Sequence, residues 1–323
     1  MTFASGFSGS SRPGVPTLEV CLLREGVLES RHRAHAVVCD ARGRVLMRAG
    51  DPQLLTFIRS ALKPFQAMVF VSSGAADQCG CGDRGLAIAC ASHTGTATHA
   101  REAFRVLWGA ELEPLLLQCP VPAGASSPLE HNCSGKHAAF LASCRQLHWP
   151  LESYLQPDHP LQQEVCKRVG ELLGLPAAEL VMARDDCGAP TLQLQLAQMA
   201  LLHAHLGGGE LPDLERLCRA MLAHPDLVAG EGCFDTEVMR LGHKQVVSKG
   251  GAEGIQCLSR VGEGLGMAIK VEDGSSRAKH AVALHLLSQL DWLTPVSLEE
   301  LRQRFQNPAP HLRLEVRGEL RFD

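Results

Sequence analysis

Extended segments lie at both ends of this 323-residue chain, and a long helical stretch separates them. Near the N-terminus Leu18, Val20 and Leu22 alternate with other residues, and the hairpin turn 40–43 separates two apolar runs. Residues 245–248, 266–271 and 312–316 are predicted strands near the C-terminus. Extended ends around a helical middle indicate an α/β fold, in which the N- and C-terminal segments form a sheet layer and the middle forms a helical lobe.

Apolar residues at helical spacing mark the middle of the chain. One stripe covers 161–173 and another covers 211–222, and a further helix is expected to start near Pro190 and to end at 207–209. A helix is also predicted after Ser60. We therefore expect residues 1–16 to be a flexible lead-in and 17–323 to be the main domain. Within it, 17–110 and 230–323 form the α/β part, and 111–229 form the mainly helical lobe.

Composition excludes several classes of partner. The net charge is −4, there is no block of Lys and Arg, and aromatic residues make up 4% of the chain, so no nucleic-acid partner is expected. The most apolar stretch, 192–206, is interrupted by glutamine and histidine and is too polar to cross a membrane. Residues 1–16 lack the features of a secretion signal, so a cytoplasmic location is expected. The thirteen cysteines are an odd number, so most are expected to be small buried hydrophobic residues.

Ser60 and Lys63 form the first candidate for chemistry. At a spacing of three, both side chains lie on one face of a helix. A partly desolvated lysine there can lose its proton and act as the base for the serine hydroxyl. Ser276 and Lys279 have the same spacing, and we interpret them as part of a charged turn.

Other polar clusters are also candidates, although each has an ordinary structural explanation. Ser92 and His93 follow an apolar run and end in a turn, and the segment 131–137 is dense in polar and nucleophilic residues. The segment 185–190 precedes an expected helix and suits an ammonium or a polar substrate end. A fifth cluster joins 248–254 to the strand that carries Lys270. That lysine faces solvent on an edge strand or is buried with a partner.

The cysteines of two clusters, Cys133 and Cys187, permit more than one interpretation. They could share a zinc ion, or a neighbouring lysine could lower the pKa of Cys133 to give a reactive thiolate. The spacings C-x-x-C and H-x-x-x-H are absent from these clusters, so spacing alone does not identify a metal site.

Taken in order, these segments resemble the L-asparaginase II family of the bacterial, rhizobial type. The resemblance covers about residues 17–292. The matching segments are Arg59-Ser60-Ala61-Leu62-Lys63-Pro64-Phe65-Gln66, Cys90-Ala91-Ser92-His93, Asn132-Cys133-Ser134-Gly135-Lys136-His137, Asp185 with Cys187-Gly188-Ala189-Pro190-Thr191, Lys249 with Gly251-Ala252-Glu253-Gly254, and Gly266 to Gly274 with Arg277.

The resemblance implies a fold similar to serine β-lactamases and glutaminases, a homodimer, and hydrolysis of L-asparagine to L-aspartate and ammonia. It implies that two serine–lysine pairs, Ser60 with Lys63 and Ser92 with Lys270, are the catalytic groups of the main domain, which is therefore a catalytic domain over 17–323. It implies a zinc ion near the substrate that would not generate the nucleophile, and substrate contacts from four residues. The implied zinc ligands are Cys133, Lys136 and Cys187, and the implied substrate contacts are Arg59, His93, Lys136 and Asp185.

Three positions depart from the family pattern. Thr96 stands where an acidic residue is expected, His131 where an asparagine is usual, and Asp186 where a glycine is usual. Asp186 adds a negative charge beside Cys187, which bears on metal affinity or substrate preference.

The alternatives are a serine–lysine hydrolase of another amide, such as glutamine, a β-lactam or a small peptide, and a zinc-centred hydrolase with Cys133, Cys187 and a histidine as ligands. A non-catalytic sensor of metal or thiol state is the alternative outside enzymes.

Overall fold

The computed structural model describes residues 14–307 and 309–323, so most of the predicted lead-in at 1–16 lies outside the described residues. Within these ranges the chain forms eleven strands and thirteen α-helices. The strands are β1 (Leu18–Arg24), β2 (Val27–Asp40), β3 (Val45–Ala49), β4 (Leu55–Phe57), β5 (Val181–Arg184), β6 (Pro190–Gln195), β7 (Val246–Gly250), β8 (Ile255–Arg260), β9 (Leu265–Val271), β10 (Leu312–Arg317) and β11 (Arg321–Phe322). The helices are α1 (Lys63–Gln66), α2 (Met68–Ser72), α3 (Ala75–Gln78), α4 (Gly82–Ala89), α5 (Ala97–Gly109), α6 (Ser134–Gln146), α7 (Pro160–Leu173), α8 (Leu196–Gly208), α9 (Pro212–Ala223), α10 (Pro225–Val228), α11 (Phe234–Leu241), α12 (Ser276–Gln289) and α13 (Pro295–Phe305).

Strands from both ends of the chain form one antiparallel sheet, as the sequence predicts. Its order is β10-β1-β2-β9-β8-β7, and the long strand β2 also pairs with β3, which in turn pairs with β11. The predicted hairpin turn joins β2 to β3. The Asp40 carboxylate accepts hydrogen bonds at 3.0 Å from the backbone N–H groups of Arg42 and Arg44, and Gly43 adopts a φ of 77° that favours glycine.

Alternating side chains of this sheet enter two separate apolar cores. Met267 and Ile269 of β9 pack on one face with helices α12 and α13, whereas Ala268 packs on the other face with α8 and the helices of the middle segment. The second core has members on both sides of residue 110, from α2 and α4 as well as from α6 to α10, so helices before and after this residue share it. This core lies beneath the site described below.

A small second sheet, β4-β6-β5, stands beside the helical region and was not expected. The helices predicted over 161–173 and 211–222 are present as α7 and α9, but the prediction for Pro190 is wrong, because Pro190 begins strand β6. Proline is tolerated at the first residue of a strand, and β6 pairs with β4 on one side and β5 on the other. Helix α8 begins at Leu196, and a capping box between Gln195 and Gln198 closes its first turn.

All thirteen cysteines lie in the described part of the chain, and each is a free thiol. No helix among the described residues is long and apolar enough to cross a membrane.

Candidate active site

Ser60 lies in a 3₁₀ turn, Arg59–Leu62, that leads directly into α1. The backbone N–H of Ile58 donates to Leu192 O at 3.0 Å, which fixes this turn against β6. Residues i and i+3 of a 3₁₀ helix lie in line, so the side chains of Ser60 and Lys63 start from one face, as predicted. Ser60 is partly exposed, and its hydroxyl has no hydrogen-bond partner within residues 14–307 and 309–323. It is therefore free to approach a bound molecule.

The Lys63 ammonium lies in the protein interior and contacts the loop after α4. Its Nζ atom donates to Ala91 O at 2.5 Å, to Ser92 Oγ at 2.8 Å and to Asn132 O at 3.4 Å. The backbone N–H of Ser92 in turn donates to Val228 O at 2.8 Å, which holds this loop against α10. The structure thus brings Lys63 to the second candidate serine.

Lys249 also reaches Ser92, from strand β7 on the opposite side. Its Nζ atom lies 2.9 Å from Ser92 Oγ and donates to Gly250 O at 2.8 Å. Burial lowers the pKa of Lys249 to about 7, with Asp235 opposing the shift and the cations Lys63 and Lys279 adding to it. A lysine with a pKa near neutrality is half deprotonated at neutral pH and can serve as a base.

The Ser92–Lys270 pair implied by the resemblance is not formed in this geometry. Lys270 Nζ donates instead to Glu253 O at 2.5 Å and to Val271 O at 2.8 Å. Lys270 lies on β9, and β8 separates β9 from β7, so the strands that carry the two lysines lie about 10 Å apart. Lys249 lies in one of the matching segments, but the sequence alone does not assign it a catalytic role. Its pattern is similar to that of Lys270, because both are lysines in otherwise largely apolar strands.

Arg59 and Asp185, both expected to contact the substrate, bind each other beside Ser60. Arg59 Nε and Nη2 lie 2.9 and 2.8 Å from Asp185 Oδ1, and Nη2 also lies 2.6 Å from Asp186 Oδ2. Arg59 adopts a φ of 53°, and its backbone N–H donates to Thr191 Oγ1 at 3.1 Å. An arginine held at positive φ by these contacts presents its guanidinium at the mouth of the site.

His93 supports the loop that carries Ser92. Its ring is buried and stacks on His99 with ring centroids 4.7 Å apart. Nδ1 accepts the backbone N–H of Gly95 at 3.1 Å, so Nε2 carries the proton and donates to Ser134 Oγ at 3.0 Å. Burial lowers the pKa of His93 to about 3, and neither ring nitrogen is left for a substrate in this geometry.

Cys133, Lys136 and Cys187 converge below these groups. Lys136 Nζ lies 3.1 Å from Cys187 Sγ, and all three side chains are buried. A hydrogen bond from Cys187, together with the positive charges of Lys63 and Lys136, lowers the pKa of the Cys133 thiol well below its usual value. Burial alone would lower the pKa of Lys136, but the two sulfurs raise it, and the lysine is charged when no metal is bound.

The three donors fit a zinc ion in chemical type. Two cysteine sulfurs and a lysine amine can bind zinc together once the thiol and the ammonium lose their protons. No group of three or more His, Cys, Asp and Glu side chains in the described chain could hold a metal ion, so a site here depends on Lys136 as the third ligand.

Each of the three residues that depart from the family pattern makes a hydrogen bond or an ion pair in the structure. Thr96 closes the first turn of α5, with its Oγ1 atom 2.7 Å from His99 Nδ1. His131 Nδ1 accepts the backbone N–H of Cys133 at 3.0 Å, and Asp186 binds Arg59 as described above.

Comparison with known proteins identifies the family. The family described as L-asparaginase II matches residues 20–322. No curated protein matches the sequence significantly. Similar solved structures include Mglu in its native form with 4.3 M NaCl, at 12% identity and a TM-score of 0.39, covering 80% of this chain and 61% of that chain. A Bacillus glutaminase with 4.3 M NaCl has 13% identity and a TM-score of 0.40, covering 80% of this chain and 91% of its own. A β-lactamase from Mycobacterium bovis has 12% identity and a TM-score of 0.34, covering 84% of this chain and 94% of its own.

The chain spans less than two thirds of the length of that Mglu chain. The family match, by contrast, covers nearly the whole of this chain and includes every candidate site residue. The chain therefore belongs to the L-asparaginase II family.

Proposed function

We propose that the protein is an L-asparaginase that hydrolyses the side-chain amide of L-asparagine to L-aspartate and ammonia through an acyl-enzyme. One observation carries this proposal. The Ser92 hydroxyl lies between two buried lysine amines, at 2.8 Å from Lys63 and 2.9 Å from Lys249, and Lys63 follows Ser60 by three residues in the turn that leads into α1. Such a chain of groups suits activation of Ser60.

Proton transfer through Ser92 would generate the base for Ser60. With Lys63 charged and Lys249 neutral, Ser92 passes its own proton to Lys249 and accepts one from Lys63. Lys63 is then neutral and takes the proton of the Ser60 hydroxyl. The pKa of Lys249, near 7, supports a neutral amine at the far end of this chain.

Acylation and deacylation would then follow the usual order for an amide. Ser60 Oγ attacks the carboxamide carbon and forms an ester bond, the C–N bond breaks, and the proton held by Lys63 goes to the leaving nitrogen to give ammonia. In a second step Lys63, neutral again, takes a proton from the water that attacks the ester carbon and gives it to Ser60 Oγ as the acyl–oxygen bond breaks to release aspartate. In this scheme Ser92 acts as the proton relay, and the acyl group is carried by Ser60.

Arg59 and Asp185 would recognise the α-amino-acid end of the substrate. The Asp185 carboxylate suits the α-ammonium, and the neighbouring Arg59 guanidinium suits the α-carboxylate. Two of the three Arg59 nitrogens already contact Asp185 or Asp186, so Nη1 is the nitrogen available for a substrate. Lys136 is a further expected contact, and the buried position of His93 favours a supporting role for that residue.

A zinc ion is part of the proposal, with Cys133, Lys136 and Cys187 as its ligands. When bound, zinc would act as a Lewis acid that polarises a substrate oxygen. The thiolate character of Cys133 supports this ligand set.

The proposal includes a serine β-lactamase/glutaminase-like fold, a homodimer and a cytoplasmic location. The antiparallel sheet built from both chain ends and the adjoining helical region support the fold. The dimer follows from the family, and size-exclusion chromatography with light scattering would test it.

An ammonia-release assay with L-asparagine, L-glutamine and a β-lactam tests the reaction, with and without a chelator. We expect turnover of asparagine, lost in Ser60→Ala and Lys63→Ala. Ser276→Ala is the matched control, because Ser276 has the same spacing to a lysine but is exposed at the start of α12. Near-normal turnover by both site variants would exclude the mechanism, and loss on chelation with activity kept in Ser60→Ala would favour the zinc-centred hydrolase. Absence of turnover on any amide, combined with tight zinc binding, would favour the sensor.

A quenched reaction analysed by mass spectrometry locates the acyl group. We expect an aspartyl adduct on the peptide that contains Ser60. An adduct on the peptide that contains Ser92 would instead assign the attack to that serine.

A further inference from the structure

Asp235 is a buried acid that the proposed mechanism does not use. Its carboxylate accepts hydrogen bonds from Ser248 Oγ at 2.7 Å, from the backbone N–H of Gly250 at 2.8 Å and from Gln256 Nε2 at 2.8 Å. Gln256 Nε2 also donates to Ser248 Oγ at 2.9 Å. Asp235 thus binds side chains of both β7 and its neighbour β8, and these side chains also bind each other. Three donors on one buried carboxylate favour its ionised form.

Two of these partners flank Lys249 directly in the sequence. Ser248 precedes Lys249 and Gly250 follows it, so the Asp235 carboxylate bridges strand β7 across the lysine. Side chains alternate along a strand, so Ser248 and Lys249 point to opposite faces of the sheet. Asp235 therefore holds the backbone of β7 from the face opposite the Lys249 side chain.

Gly250 links the two faces. Its N–H donates to Asp235, and its carbonyl oxygen accepts from Lys249 Nζ at 2.8 Å. A Cβ atom on Gly250 would lie 3.3 Å from Asp235 Oδ2 and 3.2 Å from Lys279 Nζ, which is closer than nearly all such contacts. The absence of a side chain therefore lets the carboxylate and a second lysine approach the backbone that orients Lys249.

The same carboxylate also balances two buried cations. Lys279 Nζ donates to Gly251 O at 2.8 Å and to Ile255 O at 3.2 Å, close to Gly250 and on the side of Asp235. Burial alone would raise the pKa of Asp235, but Lys249, the hydrogen bonds from Ser248 and Gly250, and Lys279 lower it below its usual value. One ionised acid therefore stands among two lysines in a region removed from solvent.

We propose that Asp235 is a positioning residue, which fixes strand β7 so that the Lys249 amine lies on Ser92 and which keeps that amine able to take up and release a proton at neutral pH. The inference rests on the proposed function only in the claim that Lys249 accepts a proton during the reaction. The effect of the Asp235 carboxylate on the Lys249 amine does not involve substrate, so it can be measured on the free protein.

Several charged or titratable groups surround Lys249. Asp235 is the acid whose charge raises the pKa of Lys249, and the neighbouring cations lower it. The surrounding groups are Asp235 from α11, Lys63 from α1, Lys279 from α12, Cys133 at the start of α6, Cys90 after α4, Cys257 on β8 and His203 on α8.

Lysine NMR tests the inference directly, since the chain has only seven lysines. With ¹³Cε-labelled lysine, the resonance missing in Lys249→Met assigns Lys249, and its titration gives the pKa. We expect Asp235→Asn to lower that pKa by about one unit or more, because the negative charge that favours the protonated amine is lost. Glu237→Gln is the matched control, since Glu237 is a buried acid on the same helix that pairs with Arg240 and Arg304 instead. An unchanged Lys249 titration in folded Asp235→Asn would overturn the inference.

A second pair of variants covers the case in which Asp235→Asn does not fold. Lys279→Met removes a cation near Lys249 and should raise the Lys249 pKa. The double variant Asp235→Asn with Lys279→Met removes the acid and a cation together, and its Lys249 pKa should lie below that of Lys279→Met alone. Equal values in these two proteins would also refute the role of Asp235.

Activity profiles separate positioning from simple loss of stability. The acidic limb of the kcat/KM profile should follow the titration of Lys249. In Asp235→Asn this limb should therefore move to lower pH. A structural defect would instead lower the rate at every pH. If wild type hydrolyses no amide, the proposed function fails, while the NMR result still decides whether Asp235 controls Lys249.

Discussion

Lys249 Nζ lies 2.9 Å from Ser92 Oγ, although 157 residues separate the two in the sequence. The contact joins β7, on an edge of the main sheet, to the loop that follows α4. Lys63 approaches the same oxygen from α1, so strands and helices from three parts of the chain meet at one hydroxyl.

Replacing Lys249 by methionine should abolish most of the activity. The expected loss in kcat is about 100-fold or more, the usual contribution of a positioned acid–base group. Lys270→Met is the matched control, because Lys270 is directed to backbone carbonyls away from Ser92, and we expect it to stay within about threefold of wild type. Steady-state ammonia release measures both. A loss in Lys270→Met that equals the loss in Lys249→Met would restore the pairing of Ser92 with Lys270.

The pH dependence of kcat/KM should report the titration of Lys249. Burial lowers the pKa of this lysine to about 7, so below that pH the amine is protonated and cannot accept the proton from Ser92. Activity should therefore rise with pH through about 7 and fall about tenfold per unit well below it. Initial rates measured between pH 5 and 9 define this rise in activity. A profile that stays flat between pH 5 and 8 would show that no group with this pKa is required.

The two acids beside Arg59 should differ in importance. Asp185 is nearly buried with Arg59, whereas 90% of the Asp186 side chain is exposed. Exposed ion pairs contribute little, so Asp186→Asn should change KM by less than about threefold. Asp185→Asn removes the partner that orients Arg59 and the proposed acceptor of the α-ammonium, so KM should rise by about tenfold or more. Equal effects of the two substitutions would contradict this assignment.

The sequence was sufficient to predict the layer formed by both chain ends, because its signals are local. The alternation of Leu18, Val20 and Leu22 and the Asp40 turn report directly on strand and hairpin. Strand β8 was missed because its polar residues Gln256 and Ser259 are buried with their apolar neighbours and stand three positions apart, so polar and apolar residues do not alternate strictly. Pro190 was misinterpreted because proline suits the first residue of a strand as well as the first turn of a helix.

The candidate site also has one part that the sequence could predict and another part that it could not. The spacing of Ser60 and Lys63 is local and could be recognised along the chain. The choice between Lys249 and Lys270 depends on which strand lies at the sheet edge nearest Ser92, and strand order is a long-range property that spacing does not contain. The role of Asp235 likewise depends on packing α11 against β7, which no motif indicates.

Zinc content should depend on Cys133 and Cys187. We expect about one zinc ion per chain in protein purified without chelator, and loss of most of it in Cys133→Ser and Cys187→Ser, because the thiolate is the ligand. Cys144→Ser is the matched control, since Cys144 is a buried cysteine of α6 whose pKa burial raises to about 12. Elemental analysis by mass spectrometry measures the content. Undiminished zinc in both site variants would place any metal elsewhere.

Gly266 should be intolerant of a side chain, because helix α8 crosses β9 at this residue. A Cβ atom there would lie 2.0 Å from Ala200 O and 2.3 Å from Ala204 N, and both are backbone atoms of α8 that cannot rotate away. Gly266→Ala should therefore lower the free energy of unfolding by about 2 kcal/mol or more, as for other overpacked cores. Gly208→Ala is the control within α8: its Cβ would meet its nearest neighbour at 3.6 Å, and alanine favours the helix by up to about 1 kcal/mol. Urea unfolding of both variants measures the difference. A Gly266→Ala protein as stable as wild type would mean that α8 does not pack on β9 at this distance.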